Sequence, residues 1–117
     1  MAFDQTEHTA LTIGSTEISL VSGTSTLQSE TDDGIYDVYI DPFVEPKMAK
    51  GDVFVIRGYE TIRASGTKRL HWWQYISHAQ SSAISIEGLH LLHGWDITMQ
   101  KVAGNDCDFD TSIRRVS

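Results

Sequence analysis

Residues 53–77 read VFVIRGYETIRASGTKRLHWWQYIS. Val53 to Ala64 is rich in β-branched and aromatic side chains, which suit a pleated, half-buried surface. Ala64-Ser65-Gly66-Thr67 supplies a turn, and Arg69 to Ser77 returns as a second run of the same kind, so the stretch predicts a long β-hairpin. The adjacent tryptophans set its orientation, because successive side chains on a strand point to opposite faces. Trp72 is in phase with Leu70 and Ile76 and is expected in the core. Trp73 then joins His71 and Tyr75 on the other face. That face meets solvent, a covering loop or sheet, or another chain, and large exposed aromatics are common in interfaces.

The same period of two runs outward in both directions. Leu11-Thr12-Ile13 breaks at Gly14-Ser15 and resumes at Ile18-Ser19-Leu20, which predicts a short hairpin. The stretch VSGTSTLQSETDDG, residues 21–34, is rich in side chains that compete for backbone hydrogen bonds and reads as a loop. Tyr36, Val38 and Ile40 alternate with Ile35, Asp37 and Tyr39, and Pro42 and Pro46 close that strand. Ala83 to Ile86, Leu89 to Leu92, Trp95 to Met99 and Phe109 to Ile113 continue the pattern. No window of ten or more residues shows an amphipathic helix. About eight short strands with turns at this spacing predict an all-β antiparallel sandwich, jelly-roll-like. The expected organisation is a polar N-terminal arm over residues 1–9 and a single domain over residues 10–117.

The chain has 117 residues, 40% hydrophobic and 21% charged, which is too apolar for disorder and enough for one core. No apolar run approaches the roughly 20 residues of a membrane span, and MAFDQTEHT lacks the basic start and apolar stretch of a secretory signal. The net charge is −7. Nine acids (Asp4, Glu7, Glu17, Glu30, Asp32, Asp33, Asp37, Asp41, Glu45) fall in residues 1–46, which hold no Lys or Arg. A chain so charged offers no basic face to phosphates, so nucleic acid is not expected as a partner. The acidic part suits a basic protein surface, where opposed charge steers association and fixes register.

Chemistry-bearing groups are sparse. Zinc wants three or four converging ligands, and His90 and His93, three apart, point to opposite faces unless the strand bends. His71 and His78 supply no third ligand at a recognisable spacing. Asp106-Cys107-Asp108-Phe109-Asp110 begins like a calcium loop but lacks the glycine and glutamate that complete one, so its acids are expected on one solvated strand face. Cys107 sits between Asp106 and Asp108, which raise a thiol pKa and oppose activation. No catalytic residue, metal or cofactor is expected.

The stretches DQTEHTALTIGSTEISL (residues 4–20) and LLHGWDITMQKVAGNDCDFDTSIRRV (residues 91–116) resemble a family of small virion proteins of tailed bacteriophages. The shared features are the TEHTALTIGSTE-like start, His93-Gly94-Trp95-Asp96, Lys101-Val102-Ala103-Gly104 and Ser112-Ile113-Arg114-Arg115-Val116. The resemblance implies a non-enzymatic structural protein made in the host cytoplasm and carried on the virion. A capsid decoration (cement) protein that binds the outer surface of the assembled shell is the first expectation. It implies the major capsid protein as partner and a homo-oligomer, a trimer. Asp4, Glu7, His8, Trp73 and Tyr75 are the expected interface residues. A tail, neck or baseplate component is the alternative, and a carbohydrate-binding β-sandwich using Trp72, Trp73 and Tyr75 a further one.

Overall fold

Alternating side chains become eight strands in the computed structural model, which describes residues 5–29, 33–63, 66–77, 80 and 82–116. They are β1 (Gln5–Ile13), β2 (Ile18–Ser19), β3 (Gly34–Asp41), β4 (Val53–Thr61), β5 (Lys68–Ser77), β6 (Ile84–Leu91), β7 (Trp95–Ala103) and β8 (Cys107–Arg115). Among the described residues there is no helix, and so none long and apolar enough to cross a membrane. The strands form two four-stranded antiparallel sheets, in the orders β1-β8-β3-β6 and β2-β7-β4-β5.

The pairing is nested. β4 pairs with β5, β3 with β6, β2 with β7 and β1 with β8, all antiparallel. The expected hairpin of residues 53–77 is therefore the innermost of four concentric pairs. Folding that long ribbon over itself places alternate pairs in alternate sheets, which is the jelly roll.

Each sheet turns one side inward. Tyr36, Val38 and Ile40 from β3 and Phe109 and Ile113 from β8 meet Phe54 and Ile56 from β4 and Trp95, Ile97 and Met99 from β7, all essentially solvent-free. Two aromatic contacts cross the interior. Tyr36 and Trp95 have ring centroids 4.7 Å apart, and Phe54 meets Phe109 edge-on at 5.1 Å. Such pairs add about 0.5–1.5 kcal/mol each beyond the area they bury.

Three expectations need correction. Ile13 and Ile18 are not two arms of a hairpin, because β1 lies in one sheet and β2 in the other. Gly14 to Glu17 carries the chain round the corner, anchored where the Lys101 amide donates to the Gly14 carbonyl at 2.8 Å. Residues 5–9, expected in an arm, belong to β1, and Gln5 to His8 run in register with Arg114 to Thr111 of β8. Their polarity does not prevent this, since ladder bonds come from the backbone. The half-buried side chains also find partners, with Thr6 donating to the Val21 carbonyl at 3.5 Å and His8 Nε2 lying 3.1 Å from the Leu20 carbonyl.

Third, Leu70 does not share the inner face with Trp72 and Ile76. A bulge sets Gly58 opposite Trp72 but Tyr59 opposite Leu70, so His71 is the extra residue and every side chain before it changes face. Leu70 is 46% exposed as a result. Trp72 does pack on the core, as expected. Its indole lies directly over Gly58, where an added Cβ would come within 2.2 Å of the ring. Gly58→Ala is therefore expected to cost about 1–3 kcal/mol by overpacking, measured as a lower urea midpoint at unchanged m. An unchanged midpoint would show that Trp72 is free to move aside.

Candidate interaction surfaces

The outward side of the β1-β8-β3-β6 sheet collects acids from distant parts of the chain. Cross-strand rows can be followed through the register. Gln5, Arg114 and Asp37 form one row, Glu7, Ser112 and Tyr39 the next, then Asp110 with Asp41, then Thr12 with Asp108. Glu7, Asp37 and Asp41 from the first half of the sequence thus share a face with Asp108 and Asp110. Arg114 is the one cation in these rows. Its guanidinium stacks 4.5 Å from the Tyr39 ring centroid, and the Tyr39 hydroxyl donates to Asp37 at 3.0 Å. That hydrogen bond holds the phenol above its usual pKa.

Asp41 and Asp110 stand directly opposite one another, an arrangement that like charges disfavour. Backbone donors hold each in place, the Phe43 amide on Asp41 at 2.9 Å and the Ala10 amide on Asp110 at 2.7 Å. Ala10 makes its bond from the β1 bulge, at φ 48°. The Thr12 hydroxyl donates to Asp108 at 2.6 Å. Glu7, Tyr39, Asp41, Asp110 and Arg114 line a shallow groove of about 320 Å³ between β1 and β3.

The outward side of the β2-β7-β4-β5 sheet is divided in two. On the β7 side, β2 and the residues flanking it are held by two carboxylates. Glu17 Oε2 accepts from Thr98 Oγ1 at 2.5 Å, Tyr59 Oη at 2.7 Å and Arg57 Nη1 at 3.4 Å. Burial by itself would raise the Glu17 pKa, but the bonds from Thr98, Tyr59 and Arg57 outweigh it and hold the carboxyl low. The Tyr59 phenol is pushed up to about 12, first by burial and then by Glu17. Buried Asp96 accepts from Ser19 Oγ at 2.6 Å, the Gln28 amide at 2.8 Å and the Ile97 amide at 2.9 Å. Here burial wins and the pKa rises.

On the other half of this face Val55 of β4 is buried, but the aromatics of the edge strand β5 stand open. Trp73 is 59% exposed and Tyr75 58%. They sit two residues apart on β5, opposite Arg57 and Val55. His71, expected beside them, is tied down by Glu60, 2.8 Å from its Nδ1.

The expected interface residues therefore fall on two surfaces. Glu7 is on the acidic sheet, and Trp73 and Tyr75 are on the outer face of the other. His8 turns inward to the Leu20 carbonyl. Asp4 lies outside the described residues, as does His78. Among the described residues no three His, Cys, Asp or Glu side chains gather as metal ligands. His93 is placed at φ 59°, its amide donating to Asp33 at 3.0 Å. Cys107 is buried and its thiol is pushed up to about 11, first by burial, then by Asp52 and only then by Asp106 and Asp108. Asp52 was invisible in the sequence because it arrives from 55 residues away. Glu17 was missed for the same reason, since its hydrogen-bond partners lie on β4 and β7.

No protein-family model matches the chain, and neither does any curated protein or solved structure.

Glu17 has a folded pKa below its ordinary 4.5, so the stability it adds is present above that value and disappears as pH falls through the folded pKa. Glu17→Gln is expected to cost about 1–2 kcal/mol at neutral pH, from weaker charge-assisted bonds. The gap to the parent should narrow as pH falls below 4.5 and through the lowered folded pKa. Urea unfolding at neutral and at acid pH checks this. A gap that persists in acid would mean that packing, and not the charged bonds, is what Glu17 supplies.

Proposed function

We propose that this jelly roll is a non-enzymatic structural protein of a tailed-bacteriophage virion, bound to the outside of the capsid as a decoration protein. Its acidic sheet docks on basic surface of the major capsid protein. The observation that carries the reading is the gathering of Glu7, Asp37, Asp41, Asp108 and Asp110 on one sheet face, with Asp41 and Asp110 directly opposite one another. Opposed charge of this kind sets register and encounter rate more than raw affinity. A protein that binds the assembled lattice and not the free subunit stabilises the shell by mass action.

The two stretches that resemble the phage family support the same reading. Residues 4–20 and 91–116 contribute β1, β2, β7 and β8, and these pair with each other as β1·β8 and β2·β7. The resemblance thus falls on one contiguous half of the fold, and that half carries part of the acidic face.

Co-sedimentation with purified shells tests the proposal. The chain is expected to pellet with them, less so as salt is raised, and Glu7→Lys is expected to weaken binding several-fold while leaving the fold intact, because Glu7 is exposed. Binding to isolated tails but not to shells would transfer the protein to the tail, neck or baseplate. A glycan-stacking role has Trp73 and Tyr75 on one face in its favour, but Trp72 lies on the inner side against Gly58. Shell binding that ignores both salt and Glu7→Lys would contradict docking through the acidic sheet.

A further inference from the structure

Each sheet has two edges, and three of the four edge strands carry a feature that discourages pairing with another chain. β1 is bulged between His8 and Leu11 and carries Glu7. β2 is two residues long. β6 shifts register around Glu87 and Gly88, the latter at φ 72°. Bulges, charges and brevity are the usual protections of an exposed edge.

β5 is the exception beyond His71, since its own bulge and its cations Lys68 and Arg69 are confined to the residues up to that point. From Trp72 to Ser77 it runs WWQYIS, with no charge, proline or glycine, in unbroken register with β4. Its far side meets no strand among the described residues. Lys68 and Arg69 lie at one end only, so in an antiparallel pair of identical strands the cations of the two copies would sit at opposite ends.

We propose that β5 pairs antiparallel with β5 of a second copy of this chain, about a two-fold axis at Gln74, joining two four-stranded sheets into one. For the sandwich faces to stay aligned, outward residues must oppose outward residues. Centring on Gln74 meets this and sets Trp73 opposite Tyr75 of the partner subunit on both sides of the axis. Such aromatic cross-strand pairs are the favourable kind, and both rings are now more than half exposed. On the inner side Trp72 would oppose Ile76 of the partner subunit. The contact is self-complementary, so it closes as a dimer and cannot close as the trimer implied by the resemblance. It is independent of the acidic face, which lies on the other sheet.

The register makes a covalent test possible. Directly opposed residues in an antiparallel pair have Cα atoms about 4.5–5.5 Å apart, within the span of a disulfide. Gln74 is exposed, and the native Cys107 is buried. Oxidised Gln74→Cys is expected to run as a disulfide-linked dimer on a non-reducing gel. The unmodified chain at on the order of 100 µM should sediment at twice 13.1 kDa, as a weak, small interface allows. Trp73→Lys combined with Tyr75→Lys should return it to monomer with unchanged circular dichroism. A monomeric or trimeric parent chain, or Gln74→Cys that stays uncross-linked, would overturn the proposal.

Discussion

Four rings hold the two sheets together. Trp95 on Tyr36 and Phe54 on Phe109 bridge the interior, and each comes from a central strand, β7, β3, β4 and β8 respectively. A sandwich stands or falls on burying its inner faces, since each sheet alone leaves one apolar side in water. Concentrating the large aromatics on central strands leaves the edge strands and outward faces less constrained. The acidic sheet face and the β5 edge are among these less constrained surfaces.

Much of this was legible from period two. The buried set on β3, Tyr36, Val38 and Ile40, is one of the two alternating sets read from the sequence, and the hairpin of residues 53–77 is where the sequence predicts it. Trp72 and Trp73 face opposite ways, as adjacent strand residues must. Two of the three misreadings share one cause, which is that local pattern does not report which sheet a strand joins. Ile13 and Ile18 are neighbours in sequence but belong to different layers, and the polar start of β1 is held by β8 from the far end of the chain. The Leu70 error is different. A single extra residue, His71, reverses the face of everything before it, and nothing in KRLHWWQ announces where that residue sits.

The functional surfaces were only half legible. Trp73 and Tyr75 could be read as outward from parity. Glu7 could be read only as part of an acidic half-chain, because the sequence does not show that Asp108 and Asp110 join it. In the fold five acids from both halves of the chain share one sheet face, with Asp41 opposite Asp110 across β3 and β8. The local amides and hydroxyls that fix those carboxylates keep the face rigid. A rigid charged face loses little conformational entropy when it docks.

The most direct measurement is cryo-electron microscopy of intact virions with the jelly roll located in the density. Docking through the acidic sheet predicts hundreds of copies on the outer capsid surface, with Glu7, Asp41 and Asp110 turned toward the shell. Density confined to the tail, or a capsid-bound jelly roll with the acidic sheet facing solvent, would contradict it.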